Sequence, residues 1–316
     1  MSGENAAKQF IDRQHKLLIA GQWCDSQSGE SIEVLNPANG QPLTRVPAGN
    51  SEDIDRAVQA ARQAFEGAAW GRMRPVQREK LLLDLADKLE QHADEFAYLE
   101  SLDNGKPLTM ARYMDVVLAI DYFRYMAGLA TKIEGKVPQT STPYLPNEVN
   151  TFAYISREPV GVVGSIIPWN FPLLMAAWKV APVLATGCTM VLKPAEETPL
   201  TALRLGELIQ EVGYPEGVVN VVTGIGAVAG DALAKHQGLD KVAFTGSTEV
   251  GKLVGHAAVE NMANFTLELG GKSPVIVLND ADIDQAIQGA AQAVFFNTGQ
   301  VCCAGSRLLI QESVAE

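Results

Sequence analysis

The chain has 316 residues, which is enough for about two domains of ordinary size and for a large buried core. With 47% hydrophobic and 20% charged residues, its composition is that of an ordinary globular protein. The 25 basic and 37 acidic side chains give a net charge of −12, which argues against a nucleic-acid partner.

The N-terminal stretch MSGENAAKQFIDRQHK is polar and lacks the apolar core of a signal peptide. No apolar run reaches the roughly 18 residues of a membrane helix. The four cysteines and four histidines show no zinc-type spacing, so we expect no metal site. These features predict a cytoplasmic protein with reduced thiols and no membrane partner.

The first 138 residues are predicted to be mainly helical. Apolar residues recur at helical spacing after Ser51, the predicted N-cap, and again after Pro75. The segment LESLDNGKP is expected to end a further helix at Gly105 and Pro107. Residues 139–159 lose this period and predict an extended arm, which alternating aromatic residues could fold into a hairpin.

From Val160 onward, short β-rich runs alternate with helical stretches. Such alternation predicts crossover helices and a parallel sheet, that is, a doubly wound, Rossmann-like α/β domain. The five runs are Val160–Ile167, Thr189–Leu192, Val218–Val222, Val242–Phe244 and Phe265–Leu269. A further unit begins with Pro274–Leu278 and continues with a helix from about Asp282 to Asn297.

Polar residues follow several of these strands, where open α/β sheets bind ligands. Asn170 in IIPWNFP is held between aromatic residues and prolines, so it is either an oxyanion donor or a turn-forming amide. Lys193 and Glu196 in VLKPAEETP fit ribose hydroxyls, or else are two solvated loop charges. Glu268 in TLELGGKSP is expected among apolar neighbours, as a general base with a raised pKa or as a structural ion pair.

Two glycine-rich turns are candidate phosphate sites. VVTGIGAVAG, which contains Gly226, follows a strand but is one residue longer than the usual dinucleotide fingerprint, so a plain tight turn stays open. FTGSTEVGKL nearly matches a nucleotide triphosphatase loop, but Leu253 stands where a magnesium-binding Ser or Thr is needed. What remains is a helix N-terminus near Gly246 and Ser247 that could face a pyrophosphate.

The stretch VFFNTGQVCCAGSR sets Cys302 beside Cys303. Adjacent cysteines form a disulfide only with strain, so a structural bridge is not expected. A turn opened by Gly299 could expose one thiol for nucleophilic chemistry while the other packs into the core. Because most cysteines are small buried hydrophobic residues, the residues alone leave an inert pair open as well.

Taken together, PWNFP, KPAE, FTGS, LELGGKSP and FFNTGQVCCAGSR, with NPANG near the N-terminus, resemble the NAD(P)-dependent aldehyde dehydrogenase superfamily over essentially the whole chain. In that family the nucleophile is the cysteine two places after Gly-Gln, which here is Cys302. The resemblance implies Glu268 as general base and Asn170 as oxyanion donor. It also implies oxidation of an aldehyde to a carboxylic acid through a thioester on Cys302.

The resemblance further implies an NAD site, with NADP also possible, in which Lys193 and Glu196 bind the adenosine ribose. The implied cofactor residues are Ile167, Trp169, Lys193, Glu196, Gly226, Phe244, Gly246, Ser247 and Val250. An aldehyde tunnel is implied at Phe171, Met175, Trp178 and Phe296, although residues at helical spacing are also typical of a core. FIDRQHKLLIAGQW and RYMAGLATKIEGK are most similar to the phenylacetaldehyde dehydrogenase subfamily, which favours an aromatic aldehyde.

Chains of this family are considerably longer, so the sequence is expected to be truncated after Glu316. The expected division is 1–138 and 160–271 for the NAD-binding domain, 139–159 for an oligomerisation arm, and 272–316 for the start of the catalytic domain. Family members form dimers or tetramers through the arm. The alternative is a truncated, non-catalytic NAD-binding or interaction protein.

Overall fold

The computed structural model describes residues 2–141, 143–146, 149 and 151–315. Its centre is a seven-stranded sheet in the order β2-β1-β7-β6-β5-β8-β9. The strands of this sheet are β1 (Leu17–Ile19), β2 (Gln22–Cys24), β5 (Val162–Ile166), β6 (Thr189–Lys193), β7 (Val219–Val221), β8 (Lys241–Gly246) and β9 (Asn264–Leu269). Strands β5 to β9 run parallel, whereas β1 pairs with β7 and with β2 antiparallel. The predicted doubly wound α/β fold is confirmed.

Two smaller sheets accompany it. Strands β3 (Ser31–Asn36) and β4 (Gln41–Pro47) form an antiparallel pair, and β10 (Pro274–Val277) pairs parallel with β11 (Arg307–Ile310). Strands β1 to β4 were not predicted, because their apolar runs are short. In the β1–β2 turn, Ala20 adopts a left-handed backbone conformation (φ 52°). Alanine is not typical of such turns, so the sequence did not predict this hairpin.

Helices cover both faces of the central sheet. They are α1 (Gly3–Ile11), α2 (Ser51–Glu66), α3 (Ala68–Gly71), α4 (Pro75–Gln91), α5 (Ala93–Asn104), α6 (Leu108–Met110), α7 (Val116–Ala130), α8 (Pro172–Thr186), α9 (Leu200–Val212), α10 (Asp231–Ala234), α11 (Thr248–Glu260) and α12 (Ile283–Phe295). Single π-helical turns precede α7 and α10, and two short 3₁₀ turns follow α12. Within the residues that the structure describes, no helix is long and apolar enough to cross a membrane.

Alternation along the parallel strands divides the core into two clusters. Met190 and Leu192 of β6 belong to the cluster that includes residues of helices α4, α5, α7, α8 and α9, whereas Val191 belongs to the cluster that includes residues of α2, α10 and α11. Because successive strand residues point to opposite faces, a strand covered on both sides must be apolar throughout. All residues of β5 and β6 are accordingly buried.

Helix α2 begins one residue earlier than the cap prediction requires. Its N-cap is Asn50, whose side chain accepts from the N–H groups of Glu52 and Asp53, so the prediction of Ser51 as N-cap is wrong. Asp53 in turn accepts from the Asn50 N–H, which completes a capping box. Asn50 is the N-cap and Ser51 is not, because Asp53 lies three residues after Asn50 and its carboxylate accepts a hydrogen bond from the Asn50 N–H.

The predicted arm is an open loop over most of the part that the structure describes. Its two sides meet in one antiparallel bridge between Lys136 and Ile155, and the Thr140 and Thr151 hydroxyls lie 2.5 Å apart. Phe152 and Tyr154 are exposed. Four arm positions, 142, 147, 148 and 150, lie outside the described residues.

Candidate active site

A cleft of about 820 Å³ lies at the carboxyl ends of β5, β8 and β9. It is lined by three groups that the sequence proposes for chemistry, Asn170, Glu268 and Cys302. Seven further sequence-predicted residues line the same cleft: Trp169, Phe171, Met175, Trp178, Gly246, Ser247 and Phe296. The topology explains why the residues after β5, β8 and β9 converge, because parallel strands of one sheet end at the same edge. Phe296 and Cys302 reach the cleft from the turn after α12.

Asn170 is fixed by both its side chain and its backbone. Its Nδ2 donates to the Gln300 carbonyl at 2.8 Å, and its own carbonyl accepts from Asn297 Nδ2 at 3.2 Å. Its buried Oδ1 has no hydrogen-bond partner among the described residues. One N–H of the amide is therefore engaged, and the second has no hydrogen bond among the described residues.

Cys302 and Cys303 are both exposed, so the prediction that one of them packs into the core is wrong. Only Ala304 of this turn reaches the interior, with 9% of its surface exposed. Partial burial of the Cys302 sulfur raises the pKa of its thiol, and the neighbouring Cys303 raises it further. The resting sulfur is therefore a thiol at neutral pH.

Glu268 lies near the end of the edge strand β9 and is exposed. The prediction that apolar neighbours enclose it is wrong, because an edge strand has an uncovered side. The half-buried Lys179 of α8 interacts with the charge of Glu268. Burial lowers the pKa of the lysine, and the negative charge of Glu268 opposes that shift. The carboxylate thus faces α8 and is open to water.

A second cluster of predicted residues lies beyond this cleft, around the end of β6. Lys193 Nζ lies 2.6 Å from Glu196 Oε2, and Glu196 Oε1 accepts from the Gly226 N–H at 2.9 Å. Burial alone would raise the pKa of Glu196, but the Lys193 charge and these hydrogen bonds lower it. Lys193 is 2% exposed, which rules out the solvated-charge alternative for this residue.

The remaining residues predicted to bind the cofactor lie near the ends of β5, β7 and β8 or in the segments that follow these strands. The Ile167 N–H donates to the Lys193 carbonyl at 3.2 Å. A Cβ on Gly246 would lie 2.5 Å from the ring of Phe244, so only glycine lets that ring lie beneath the turn. Ser247 is the N-cap of α11 and accepts from the Val250 N–H at 3.2 Å. Gly226 opens a π-helical turn, not the tight turn considered as the alternative.

The predicted tunnel residues form an apolar wall. The rings of Phe171 and Phe296 stack with centroids 6.2 Å apart and an interplanar angle of 25°. Met175 is buried, whereas Trp178 is 46% exposed and lies 6.1 Å from the Tyr122 ring. Met175 belongs to the core and also lines the cleft, so both interpretations of the stripe apply to it.

Several cleft residues were not predicted. Gln300, Lys272, Met114 and Leu118 line the cleft, and Asn297 bonds to the carbonyls of both Asn170 and Gln300. Met114 and Leu118 come from helices far from Asn170 in sequence, so no local pattern joins them to the site. Gln300 lies within a quoted motif and could have been included.

Residues 23–316 match the sequence model of the aldehyde dehydrogenase family. The chain is 56% identical over 302 residues to phenylacetaldehyde dehydrogenase of Pseudomonas fluorescens, covering 96% of this chain and 60% of that one. It is 50% identical to human retinal dehydrogenase 2 over 303 residues, covering 95% of this chain and 57% of that one.

Solved structures agree with these relatives. An NAD⁺ complex of aldehyde dehydrogenase from Bacillus cereus superposes with a TM-score of 0.92 at 47% identity, over 97% of this chain and 61% of that one. Betaine aldehyde dehydrogenase from Staphylococcus aureus, in complex with NAD⁺, gives 0.93 at 42% identity, over 99% and 61%. The chain thus spans about 60% of the length of the relatives it matches.

Proposed function

The chain belongs to the aldehyde dehydrogenase family, and on that premise we propose that it oxidises an aldehyde to a carboxylic acid with NAD⁺. The observation that carries the proposal is the convergence of a sulfur, an amide and a carboxylate on one cleft, at Cys302, Asn170 and Glu268. A nucleophile, an oxyanion donor and a base are the three protein groups that oxidation through a thioester requires.

Each group has a defined task. The Cys302 sulfur, once deprotonated, attacks the aldehyde carbon and forms a thiohemiacetal. The free N–H of the Asn170 amide stabilises the oxyanion that develops on the former carbonyl oxygen. Loss of hydride from this adduct leaves a thioester on Cys302. Glu268 then removes a proton from water, whose oxygen attacks the thioester and releases the carboxylic acid and the thiol.

The two strand-end clusters fit a dinucleotide. Lys193 donates hydrogen bonds to the hydroxyl groups of an adenosine ribose, and Glu196 accepts hydrogen bonds from them. Gly246 and Ser247 lie at the N-terminus of α11, where backbone N–H groups bind a pyrophosphate. The negative charge of Glu196 disfavours a 2′-phosphate, so we propose NAD⁺ over NADP⁺. When bound, NAD⁺ supplies the hydride acceptor. The NAD⁺ complexes of the Bacillus cereus and Staphylococcus aureus enzymes support this choice.

For the substrate we propose an aromatic aldehyde. The stacked rings of Phe171 and Phe296, with Trp178 beside them, give the cleft an apolar, flat-walled side. Such a wall favours an aryl group through burial and stacking. The similarity to a phenylacetaldehyde dehydrogenase agrees with this chemistry.

Assembly, location and domain division complete the proposal. The exposed aromatic residues Tyr144, Phe152 and Tyr154 suit residues 139–159 to contact a second copy of the chain. The division at 138, 159 and 271 follows the arm and the end of β9. All four cysteines are free thiols, which supports a reducing, cytoplasmic setting.

The test is NADH formation by the purified chain with NAD⁺ and phenylacetaldehyde. We expect activity that Cys302→Ser abolishes and Cys303→Ser retains, because only the first sulfur is assigned to the carbonyl. Activity that survives Cys302→Ser and disappears with Cys303→Ser would overturn the assignment.

A second candidate, an NAD-binding protein without turnover, is favoured by the open setting of Glu268 and the raised pKa of Cys302. It predicts that NAD⁺ raises the melting temperature of the chain while no aldehyde tested yields NADH. The oxidation proposal predicts both effects together.

A further inference from the structure

Three side chains of one short segment, residues 100–106, contact the backbone of the turn that carries Asn170. Asn104 Nδ2 donates to the Trp169 carbonyl at 2.7 Å, and Lys106 Nζ donates to the Asn170 carbonyl at 3.1 Å. Glu100 Oε2 accepts from the Leu173 N–H at 3.2 Å. We infer that this segment aims the Asn170 amide, with Lys106 as its principal positioning residue.

The local chain path explains why a lysine reaches this point. Helix α5 ends at Asn104, and Gly105 takes a left-handed conformation with φ 85°. The Ser101 hydroxyl then donates to the Lys106 carbonyl at 2.8 Å, which holds the reversed chain against the helix end. A Cβ on Gly105 would also lie 2.8 Å from Pro37, so a side chain there is excluded twice over.

The ammonium of Lys106 is enclosed, and only 7% of this residue is exposed. Asp115 Oδ2 lies 2.5 Å from Nζ and balances its charge, while Glu100 Oε1 lies 3.9 Å away. A buried cation with an anion at contact distance is fixed more tightly than an exposed one. The hydrogen bond to the Asn170 carbonyl therefore starts from an anchored donor.

Hydrogen bonds connect Lys106, through Asn170, to residues 297–300, which precede Cys302. The Asn170 carbonyl is shared by Lys106 and Asn297, and the amides of Asn170 and Asn297 both donate to the Gln300 carbonyl, at 2.8 and 3.4 Å. The Lys106 ammonium also lies 4.2 Å from the ring centroid of Phe171. One buried charge thus contacts two consecutive residues of the cleft and, through Asn170, orders the chain just before Cys302.

The alternative is that Lys106 only neutralises buried carboxylates. Removing the lysine alone would leave Asp115 uncompensated and destabilise the fold for that reason. The informative variant is therefore the neutral pair Lys106→Gln with Asp115→Asn. Its control is Arg204→Gln with Glu95→Gln, a buried ion pair of 2.8 Å whose residues, unlike Asp115, do not line the cleft. A direct effect of Asp115 on the cleft would persist without the Asn170 side chain, which the cycle below tests.

The main experiment is a double-mutant cycle for NADH formation on the 316-residue chain, and in this form it rests on the proposed function. We expect the neutral pair to lower kcat by about tenfold to a hundredfold, up to the cost of a misplaced group and below the roughly hundredfold to thousandfold cost of removing an oxyanion donor, with the KM for NAD⁺ unchanged. In an Asn170→Ala background the same pair should lower kcat no further, because its effect passes through Asn170. Multiplying effects, or an equal loss in the control pair, would overturn the inference.

A second measurement separates this inference from the proposed function. In a Cys303→Ala chain, we expect the neutral pair to speed alkylation of Cys302 by iodoacetamide by about threefold or more, because a loosened turn is better solvated. The Asn170→Ala background should reduce this difference, because the Asn170 side-chain bond to the Gln300 carbonyl is then absent while Asn297 still bonds to the carbonyl of residue 170. If the wild type forms no NADH, the proposed function fails and alkylation alone decides the inference, which an unchanged rate contradicts. If the neutral pair does not fold, Lys106→Arg and Asn104→Ala replace it in both measurements.

Discussion

The two adjacent thiols differ in their surroundings although both face water. Burial is the largest cause that raises the pKa of Cys302, and the charge and hydrogen bond of Cys303 add to it. A higher thiol pKa means less thiolate at neutral pH and slower reaction with electrophiles. Cys303 therefore restrains the sulfur that we assign to the aldehyde carbon.

Replacing this neighbour should release part of the restraint. We expect Cys303→Ala to lower the apparent pKa of Cys302 while leaving it above the ordinary cysteine value, because the effect of burial remains. The pH profile of iodoacetamide alkylation, read at Cys302 by mass spectrometry, measures this shift. Cys188→Ala, at a buried thiol distant in sequence, should leave the profile unchanged, and a rise after Cys303→Ala would contradict the explanation.

Glu100 predicts a specific dependence of stability on pH. Burial raises the pKa of its carboxyl from 4.5 to about 8, against the opposing charge of Lys106. The folded chain therefore holds a proton that the unfolded chain releases above about pH 4.5, by linkage. This stabilisation is complete below the unfolded pKa and is lost as the pH rises through about 8.

Glu100→Gln should flatten that dependence. Between pH 5 and 8 we expect the free energy of unfolding of the wild type to fall relative to the variant, by at most about 1.4 kcal/mol per pH unit for one proton. Urea unfolding at several pH values measures the slope. The exposed Glu197→Gln serves as control and should keep the wild-type slope. A wild type that gains stability over this range relative to Glu100→Gln would be contrary evidence.

At the site, the sequence points to the residues that we assign to the chemistry but not to those that hold them in place. Asn170, Glu268 and Cys302 lie in quoted motifs, and the structure brings them to one cleft. Lys106 is polar and precedes a proline, features equally typical of a surface turn. Its burial depends on Asp115, nine residues away across a π-helical turn. Such tertiary pairing leaves no local pattern.

Among the elements, the parallel strands were predicted to within two residues at each end. Burial on both faces explains the apolar runs of β5 and β6. The edge strand β9 is mostly exposed, and its apolar residues alternate because only one side packs against α11. The short strands β1 to β4 were missed. Strand β1 is buried but has only three residues, and β2 to β4 are partly exposed over three to seven residues, so none shows a clear period. The start of α2 was misassigned by one residue for a similar reason. Both Asn50 and Ser51 are good cap residues, and only the reciprocal Asp53 decides between them.

That choice can be tested by substitution. Asn50→Ala should reduce the free energy of unfolding by about 1 kcal/mol, because two N–H groups of α2 lose their acceptor. Ser51→Ala should change it by less than about 0.5 kcal/mol, the usual range for an exposed site. Urea unfolding midpoints compare the two. A larger loss for Ser51→Ala would restore serine as the cap.

The turn after α12 contains a local conformational cost. Asn297 (φ 48°) and Thr298 (φ 60°) are consecutive non-glycine residues in the left-handed region. The side chain of Asn297 bonds to two carbonyls, whereas Thr298 is exposed and β-branched, so its conformation is the costlier.

Thr298→Gly should therefore stabilise the chain, by about 0.5 to 1 kcal/mol after the entropy of glycine is counted. Asn297→Gly provides the comparison, because it relieves the same backbone but loses both hydrogen bonds. We expect it to destabilise. Thermal unfolding of the two variants tests the order, and equal responses would argue against conformational cost as the cause.

At the scale of the molecule, burial is unevenly distributed. The central sheet lies between two apolar clusters, whereas helix α12 has no buried residue and β11 is exposed throughout. Beyond Gly271, Val277 and Ala304 are the only buried apolar residues in the part of the chain described. Because little apolar surface is buried there, the free energy of local unfolding of residues 272–315 is expected to be small.

Hydrogen exchange should show the difference directly. We expect amides of β10, β11 and α12 to exchange by local opening, at least about a hundredfold faster than those of β5 and β6, whose opening requires global unfolding. Amide exchange followed by mass spectrometry resolves these peptides. Equal protection across the two regions would contradict the uneven distribution.

The pairing of β8 with β9 has a consequence for sequence change. Thr245 lies opposite Glu268 and Gly246 opposite Leu269, while Leu267 and Leu269 face α11. Only residues 261–263 connect α11 to β9. A slip of β9 by one residue along β8 would turn the acid towards the helix and a leucine towards the cleft, so the packing of these leucines on α11 also fixes the direction of Glu268. The orientation of the acid thus depends on two leucines, neither of which lines the cleft.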